Sequence, residues 1–251
     1  MATCSTNSDS VDELDDPGAA PYGNFINYYT FNPPENRLGL IPATLLQDLG
    51  YSNGHRTTLI LDVGCNSGDL SVAFYKHLVQ EPVCEEESDR SQVHLLGFDL
   101  DEALIQRAQQ TNPLPSNISF IPLDITTDGS QLQDYLDQRG CSHFQLCLCL
   151  AVTMWVHLNH GDRGLLQLLS RLASISQHLL LEAQPWKCYR SAARRLRKLG
   201  RSDFDHFKTL KIRGDIAEHA REHLERHCGM ELIQSFGNTA WDRKLLLFRR
   251  R

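Results

Sequence analysis

No apolar run in the 251 residues reaches the roughly 18–20 positions that a membrane-spanning helix requires. The opening MATCSTNSDSVDELDD is polar and acidic, where a secretory signal would be basic and then apolar. Both absences predict a soluble, intracellular, cytoplasmic protein. Eight cysteines form no regular framework and no Cys-x-x-Cys pair, which suits reduced thiols better than secreted disulfides. There is no internal repeat. Basic residues are in deficit, 25 against 31 acids for a net charge of −6, and taken alone that argues against a nucleic-acid partner. Two phosphate cradles are missing as well. LDVGCNSGDL (61–70) has glycines only at 64 and 68, so it matches neither the Gly-x-Gly-x-x-Gly of dinucleotide sites nor the Gly-Lys-Ser/Thr of a P-loop.

What is present divides into a tail and one domain. Residues 1–18 are rich in Ser, Asp and Glu with almost no large apolar side chains, and are expected to be disordered because they bury too little to offset ordering entropy. Residues 19–251 read as a single domain. It opens with the aromatic, asparagine-rich PYGNFINYYTFNPPENRL (21–38), which either packs on the domain or covers a ligand, since Tyr and Phe normally seek burial. Short apolar runs then alternate with helix-length amphipathic ones. TLILDVG (58–64), VHLLGFDL (93–100), ISFIPL (118–123), FQLCLCLAV (144–152) and HLLLEAQ (178–184) read as buried strands. Helices are expected at 68–78, 101–110 and 161–176, and EPVCEEESDRS (81–91) reads as an acidic surface loop. The alternation predicts a doubly wound, mostly parallel α/β sheet. MELIQSFG (230–237) and RKLLLFRR (243–250) add a closing antiparallel hairpin, making seven strands.

In such a sheet, ligands sit beyond the carboxyl ends of the strands, beside the first strand-to-helix turn. Gly64 and Gly68 let a ligand and a helix approach that turn. Asp62, just before it, suits a cationic ligand, and S-adenosylmethionine carries both a sulfonium and an ammonium. Asp99 ends the second strand, where a two-oxygen carboxylate can accept both ribose hydroxyls, and Asp124 ends the third, where it would meet the adenine amino group. The bland alternative is that these acids only cap helices.

YGNFINYYTFNPPENRL, LDVGCNSGDLS, TMWVHLNHGDRGL (153–165), LLLEAQPWKCY (179–189) and FGNTAWDRKLLLF (236–248) resemble the RNA 5′-phosphate methyltransferases of the bicoid-interacting-protein family. The resemblance spans residues 20–251 and is greatest to the branch acting on the 5′-monophosphate of microRNA precursors and histidine tRNA. Ala183 departs from it, standing where the family usually has proline. The resemblance implies a class I S-adenosylmethionine-dependent methyltransferase fold and that cofactor. It implies that Arg37 reaches the cofactor's carboxylate, Asn66 its methionine end and Asp99 the ribose. Asp124 and Ile125 would bracket the adenine, and Leu150 would contribute backbone.

The mean charge conceals a segregation. Lys187, Arg190, Arg194, Arg195, Arg197, Lys198, Arg201, Lys208, Lys211 and Arg213 are ten of the 25 basic residues. On a helix, Lys187, Arg190, Arg194, Lys198 and Arg201 share one face, while Tyr189, Ala192, Ala193, Leu196 and Leu199 share the docking face. Like charges at i,i+4 repel, so a polyanion such as RNA is the expected partner of that stripe, although a solvated face is the commoner reason for one. Tyr28, Tyr29, His157 and Lys187 are candidates for a phosphate pocket, with Trp186 and Phe25 to stack a terminal base. His219, His223 and His227 share a helix face without a ligand cage around them, and Cys147 and Cys149 read as small buried hydrophobes; no metal is expected. A monomer is expected. Two other functions compete, a methyltransferase for a protein or small molecule and a non-catalytic RNA-binding protein that keeps the fold.

Overall fold

The computed structural model describes residues 20–51, 57–79, 92–127 and 130–251, so the expected tail over 1–18 and the acidic loop over 81–91 lie outside it. Seven strands form one sheet: β1 (Thr58–Val63), β2 (Val93–Asp99), β3 (Ile118–Pro122), β4 (Phe144–Leu150), β5 (Ser176–Glu182), β6 (Met230–Asn238) and β7 (Lys244–Arg250). Their order is β3-β2-β1-β4-β5-β7-β6, with β1 to β5 parallel and β7 antiparallel to both β5 and β6. Strand order therefore reverses between β1 and β4, which opens a crevice at their carboxyl ends.

Both faces of the central strands are covered, which is why they read as continuous apolar runs. The pleat sends Leu59, Leu61 and Val63 of β1 into one core and Ile60 into the other. Helices α6 (Ser130–Gln138), α7 (Thr153–Ile175), α8 (Trp186–Lys198) and α9 (Ile216–His227) build the first core. After the short helices α1 (Tyr28–Phe31), α2 (Glu35–Leu38) and α3 (Leu45–Asp48), helices α4 (Asp69–Leu78) and α5 (Glu102–Thr111) build the second, with Leu45 and Leu46 of α3. Cys147 and Cys149 are fully buried in the sheet.

The structure moves several expected boundaries. β4 ends at Leu150, and α7 starts at Thr153, eight positions before the expected 161. Gly161 breaks the helical geometry inside α7 with φ 68° and ψ −172°, so the apolar period is interrupted there and only the second half stands out. β5 covers 176–182, two positions earlier than expected, because Ala183 and Gln184 leave the strand though both are buried. Leu199 does not join the docking face of α8; the helix ends at Lys198 and Leu199 is 53 % exposed.

Candidate active site

The first crossover turn is shaped by its glycines. Gly64 and Gly68 have φ of 69° and 81°, the left-handed region that disfavours side chains. A Cβ on Gly64 would come within 2.7 Å of Val152 Cγ2, and one on Gly68 within 2.7 Å of Phe120 Cζ. Between them Asn66 is also left-handed (φ 52°), held by its own bonds: its backbone N–H donates to Asp99 Oδ2 (3.0 Å) and its side-chain amide to the Phe25 carbonyl (3.0 Å). The turn is thereby tied to both β2 and the N-terminal segment.

That segment, read from sequence as either packing on the domain or covering a ligand, packs on the domain. Asn24 donates to Asp101 (2.7 Å), Tyr29 Oη to the Cys65 carbonyl (3.1 Å), and Asn159 Nδ2 to the Pro21 carbonyl (2.9 Å), while the Phe25 ring meets Trp155 edge-on at 5.7 Å. It lies across the carboxyl ends of the strands and roofs a cavity of about 290 Å³. Every expected cofactor residue lines this cavity: Arg37, Asp62, Gly64, Asn66, Asp99, Asp124, Ile125 and Leu150, with the exception of Gly68, which shapes the turn from behind. Tyr28 and Tyr29 line it as well.

Its charges are unevenly compensated. Asp62 is buried, and its carboxyl is pushed up to about 7 by burial although the Ser71 hydroxyl donates to it at 2.6 Å and Arg37 opposes the shift; Asp99 adds to it. Burial likewise raises Asp99, against the N–H groups of Asp101 and Asn66 that bond it. Two buried acids held above the usual carboxylate range mark a place that a cation would stabilise. At the other side Arg37, fully buried, grips the fully buried Glu182 through Nε and Nη2, and Nη2 also donates to Tyr28 Oη at 2.9 Å. Burial works against the Arg37 charge, but Tyr28 and Glu182 raise its pKa overall. Arg37 Nη1 and Asn24 Oδ1 are buried without a protein partner, a donor and an acceptor contributed by residues of the lining. Acids for a cation, an arginine N–H for a carboxylate and a half-apolar wall at Leu123 and Ile125 fit the zwitterionic, adenosine-bearing ligand expected from the sequence. Asp124 is exposed and accepts from the Thr126 N–H (2.8 Å) and hydroxyl (2.7 Å), which fixes the wall beside Ile125.

The substrate-side residues divide. Lys187 stands in an adjoining cleft of about 490 Å³, with Phe25, Arg195, Trp241 and Arg243; Tyr28, Ala151 and Trp155 line both spaces. The ion pair of Lys187 with Asp242 (3.1 Å) is solvent-exposed, so a new anion could displace it at little cost. His157 is not brought to either space. It is fully buried, with Nδ1 3.0 Å from Tyr189 Oη and Nε2 2.8 Å from Asp162 Oδ1, and burial lowers its pKa. Asp162 also accepts from the backbone of Lys211 and Ile212 (2.9 and 3.0 Å), so His157 pins α8 and the 203–213 loop to α7. Trp186 is not free to stack a base either: Tyr189 and Phe207 lie against it at 4.9 and 5.7 Å, nearly parallel. On α9, His223 contacts Ser170 Oγ at 2.9 Å.

Sequence reasoning missed Glu182, Gln184, Trp155, Trp241 and Arg243. Glu182 ends β5 as Asp99 ends β2, so the signal used for the other acids applied to it too. Gln184 holds the turn after β4: its amide donates to the Ala151 carbonyl (2.5 Å), and its oxygen accepts from Thr153 Oγ1 and Met154 N (both 3.2 Å), fixing Ala151 at φ 62°. The described basic face of α8 is exposed at Lys187, Arg190, Arg194 and Lys198, while Tyr189, Ala192, Ala193 and Leu196 dock.

Known proteins are similar in sequence over most of the chain. The Bicoid-interacting protein 3 (Bin3) family profile matches residues 144–250. A pre-miRNA 5′-monophosphate methyltransferase of Danio rerio is 69% identical over 243 residues, covering 95% of this chain and 96% of the relative. An RNA 5′-monophosphate methyltransferase of Homo sapiens is 51% identical over 238 residues, 93% of this chain and 82% of the relative. Among solved structures, magnesium protoporphyrin IX methyltransferase (ChlM) from Synechocystis PCC 6803, with bound SAM, superposes with a TM-score of 0.54 at 16% identity, covering 92% of this chain and 88% of that one. That likeness shows the methyltransferase fold alone. By these identities over nearly its whole length the chain belongs to the bicoid-interacting protein 3 family, alongside the RNA 5′-monophosphate methyltransferases.

Proposed function

We propose that this protein is an S-adenosylmethionine-dependent O-methyltransferase that methylates the 5′-monophosphate of small RNAs, with microRNA precursors and histidine tRNA as substrates. The observation that carries the reading is an acid-bearing cavity set beside a basic, aromatic cleft, with Tyr28, Ala151 and Trp155 lining both, in a chain so close to the vertebrate enzymes. Asp62 and Asp99 would hold the cofactor's positive end and ribose, Arg37 its carboxylate, and Leu123 to Ile125 the adenine. When bound, the cofactor supplies an activated methyl group for a phosphate oxygen. A phosphate monoester has a second pKa of about 6, so at neutral pH that oxygen is already anionic and the protein has no proton to remove. What remains is positioning, for which a misplacement of about 1 Å costs on the order of a hundredfold. The residues are suited to it: Tyr29 is locked on the Cys65 carbonyl, and burial raises its pKa so that it stays a neutral phenol. Tyr22 to Asn24, Tyr28 and Arg37 of the segment over 21–38 add their own walls to the cavity.

The test supplies labelled S-adenosylmethionine and one RNA bearing a 5′-hydroxyl, monophosphate or triphosphate. Label is expected on the monophosphate RNA, released by nuclease with the terminal nucleotide. Equal labelling of the hydroxyl RNA would sink the phosphate reading, and a preference for triphosphate would change the substrate within the family. Asp99→Asn should weaken S-adenosylhomocysteine binding by roughly 1–3 kcal/mol, the range for hydrogen bonds to a charged group; calorimetry reads it, and an unchanged affinity would remove Asp99 from the site.

The α8 stripe would carry the RNA body. Charge reversal at Arg194 and Lys198 should weaken RNA binding and reduce the salt slope by about 0.7 per lost phosphate contact on a single strand, with cofactor affinity unchanged. A slope equal to the parent's would leave the stripe a solvated face. The protein is further proposed to act as a monomer, since one chain supplies the roof as well as the floor of the cavity, and in the cytoplasm, where free thiols such as Cys65, Cys147 and Cys149 persist.

A further inference from the structure

We infer that Arg243 is the residue that reads the terminal phosphate, with Glu182 holding it in place; this rests on the 5′-monophosphate reading above. One carboxylate, fully buried at the end of β5, is shared by two arginines. Arg37 takes it with its side-on pair, Nε and Nη2, and faces the cofactor cavity. Arg243 reaches it from β7's approach with Nη1 alone, at 2.9 Å, and faces the adjoining cleft. The Trp241 ring lies against both guanidinium groups, at 5.1 and 5.3 Å from its centroid.

The cluster carries two positive charges against one negative charge, with the Arg243 side chain only 12% exposed. Burial disfavours the Arg243 charge while Glu182 and Tyr28 raise its pKa, so the group stays cationic. Its Nε is buried and without a partner, and among the described residues Nη2 makes no hydrogen bond. Nε and Nη2 form the edge of a guanidinium that matches two oxygens of a phosphate, and orphaned N–H groups of a buried cation are costly until an anion meets them. Lys187 and Arg195 line the same cleft and supply further charge for a dianion, while Tyr28 lines both this cleft and the cofactor cavity. A 5′-hydroxyl end offers Arg243 nothing, so this arginine is where a phosphorylated end is told from an unphosphorylated one. Trp241 lies against its guanidinium, and the neighbouring Asp242 carboxylate is taken by Lys187 and Asn238, so neither competes for Nε.

The experiment measures binding of a single hairpin RNA, with a 5′-monophosphate or a 5′-hydroxyl, to the full chain saturated with S-adenosylhomocysteine. The parent should prefer the monophosphate. Arg243→Gln should cut that preference about tenfold to a hundredfold, as for loss of a charge-assisted contact, entirely through the monophosphate arm. Arg243→Lys keeps a charge opposite Glu182 but lacks the edge, and should lose a large part of the preference while folding and binding S-adenosylhomocysteine as the parent does; it decides the matter if the glutamine variant does not fold. A parent without preference would defeat the phosphate reading and this assignment with it. A parent preference that both variants retain, or an equal loss on both RNA arms, would leave the phosphate reading standing and overturn the role of Arg243.

Discussion

Replacing Arg37 with alanine is expected to lower the stability of the ligand-free protein by about 3 kcal/mol and to remove S-adenosylhomocysteine binding. Breaking a buried ion pair by deleting one partner costs roughly 3–5 kcal/mol, because the other charge is left in a poorly solvated place. The lower figure applies here, since Glu182 keeps Arg243 at 2.9 Å after Arg37 is gone. Binding fails for a separate reason: the unpartnered Nη1, the donor available for the ligand's carboxylate, is lost with the side chain. Arg37→Lys separates the two effects. A lysine restores a cation beside Glu182 and part of the stability, but a point charge cannot hold Glu182, Tyr28 and a ligand at once as the planar fork does. Chemical denaturation and calorimetry on both variants give the answer. An Arg37→Lys protein that binds S-adenosylhomocysteine like the parent would take Arg37 out of cofactor recognition.

The sheet was legible because its central strands are buried on both sides and so carry unbroken apolar runs. The acids at 62 and 99 were legible for a related reason: a carboxylate at the end of a buried strand has to meet either a helix N-terminus or a ligand. Asp101, not Asp99, turned out to cap α5, its carboxylate accepting from the N–H groups of Ala103 and Leu104. What stayed hidden depends on pairings distant in sequence. Arg37 and Glu182 are 145 positions apart, and nothing local in PPENRL or LLLEAQ says that they meet. His157 reads from sequence as a pocket residue because it stands in a distinctive run, yet its partners are Tyr189 and Asp162, and the latter's other bonds go to 211–212. Trp186 is likewise hidden from a sequence reading, since the ring that covers it, Phe207, lies in an irregular stretch that periodicity cannot place. In each case the residue type was informative and the tertiary contact decided its use.

Asp62→Asn is expected to stabilise the ligand-free protein at pH 8 while weakening its hold on the cofactor. The folded-state pKa of Asp62 is raised to about 7, chiefly by burial, from an ordinary carboxylate value near 4. A group raised in this way contributes stability below its unfolded pKa, and that contribution is lost as pH rises through the folded value. Between about pH 4 and pH 7 the native state therefore binds a proton that the unfolded chain has released, and the ligand-free protein loses on the order of 4 kcal/mol across the window. Asparagine cannot ionise and keeps an oxygen for the Ser71 hydroxyl, so the variant should nearly match the parent at pH 4 and exceed it at pH 8. Binding runs the other way. The ionised carboxylate is the form that attracts an ammonium or sulfonium, so the parent's affinity for S-adenosylmethionine should climb between pH 6 and pH 8, whereas that of the variant should be lower and nearly flat. Thermal melts without ligand and calorimetry with it, each at the three pH values, test both halves. A parent whose affinity is the same at pH 6 and pH 8 would mean that Asp62 stays protonated beneath the ligand and serves the turn through Ser71 alone.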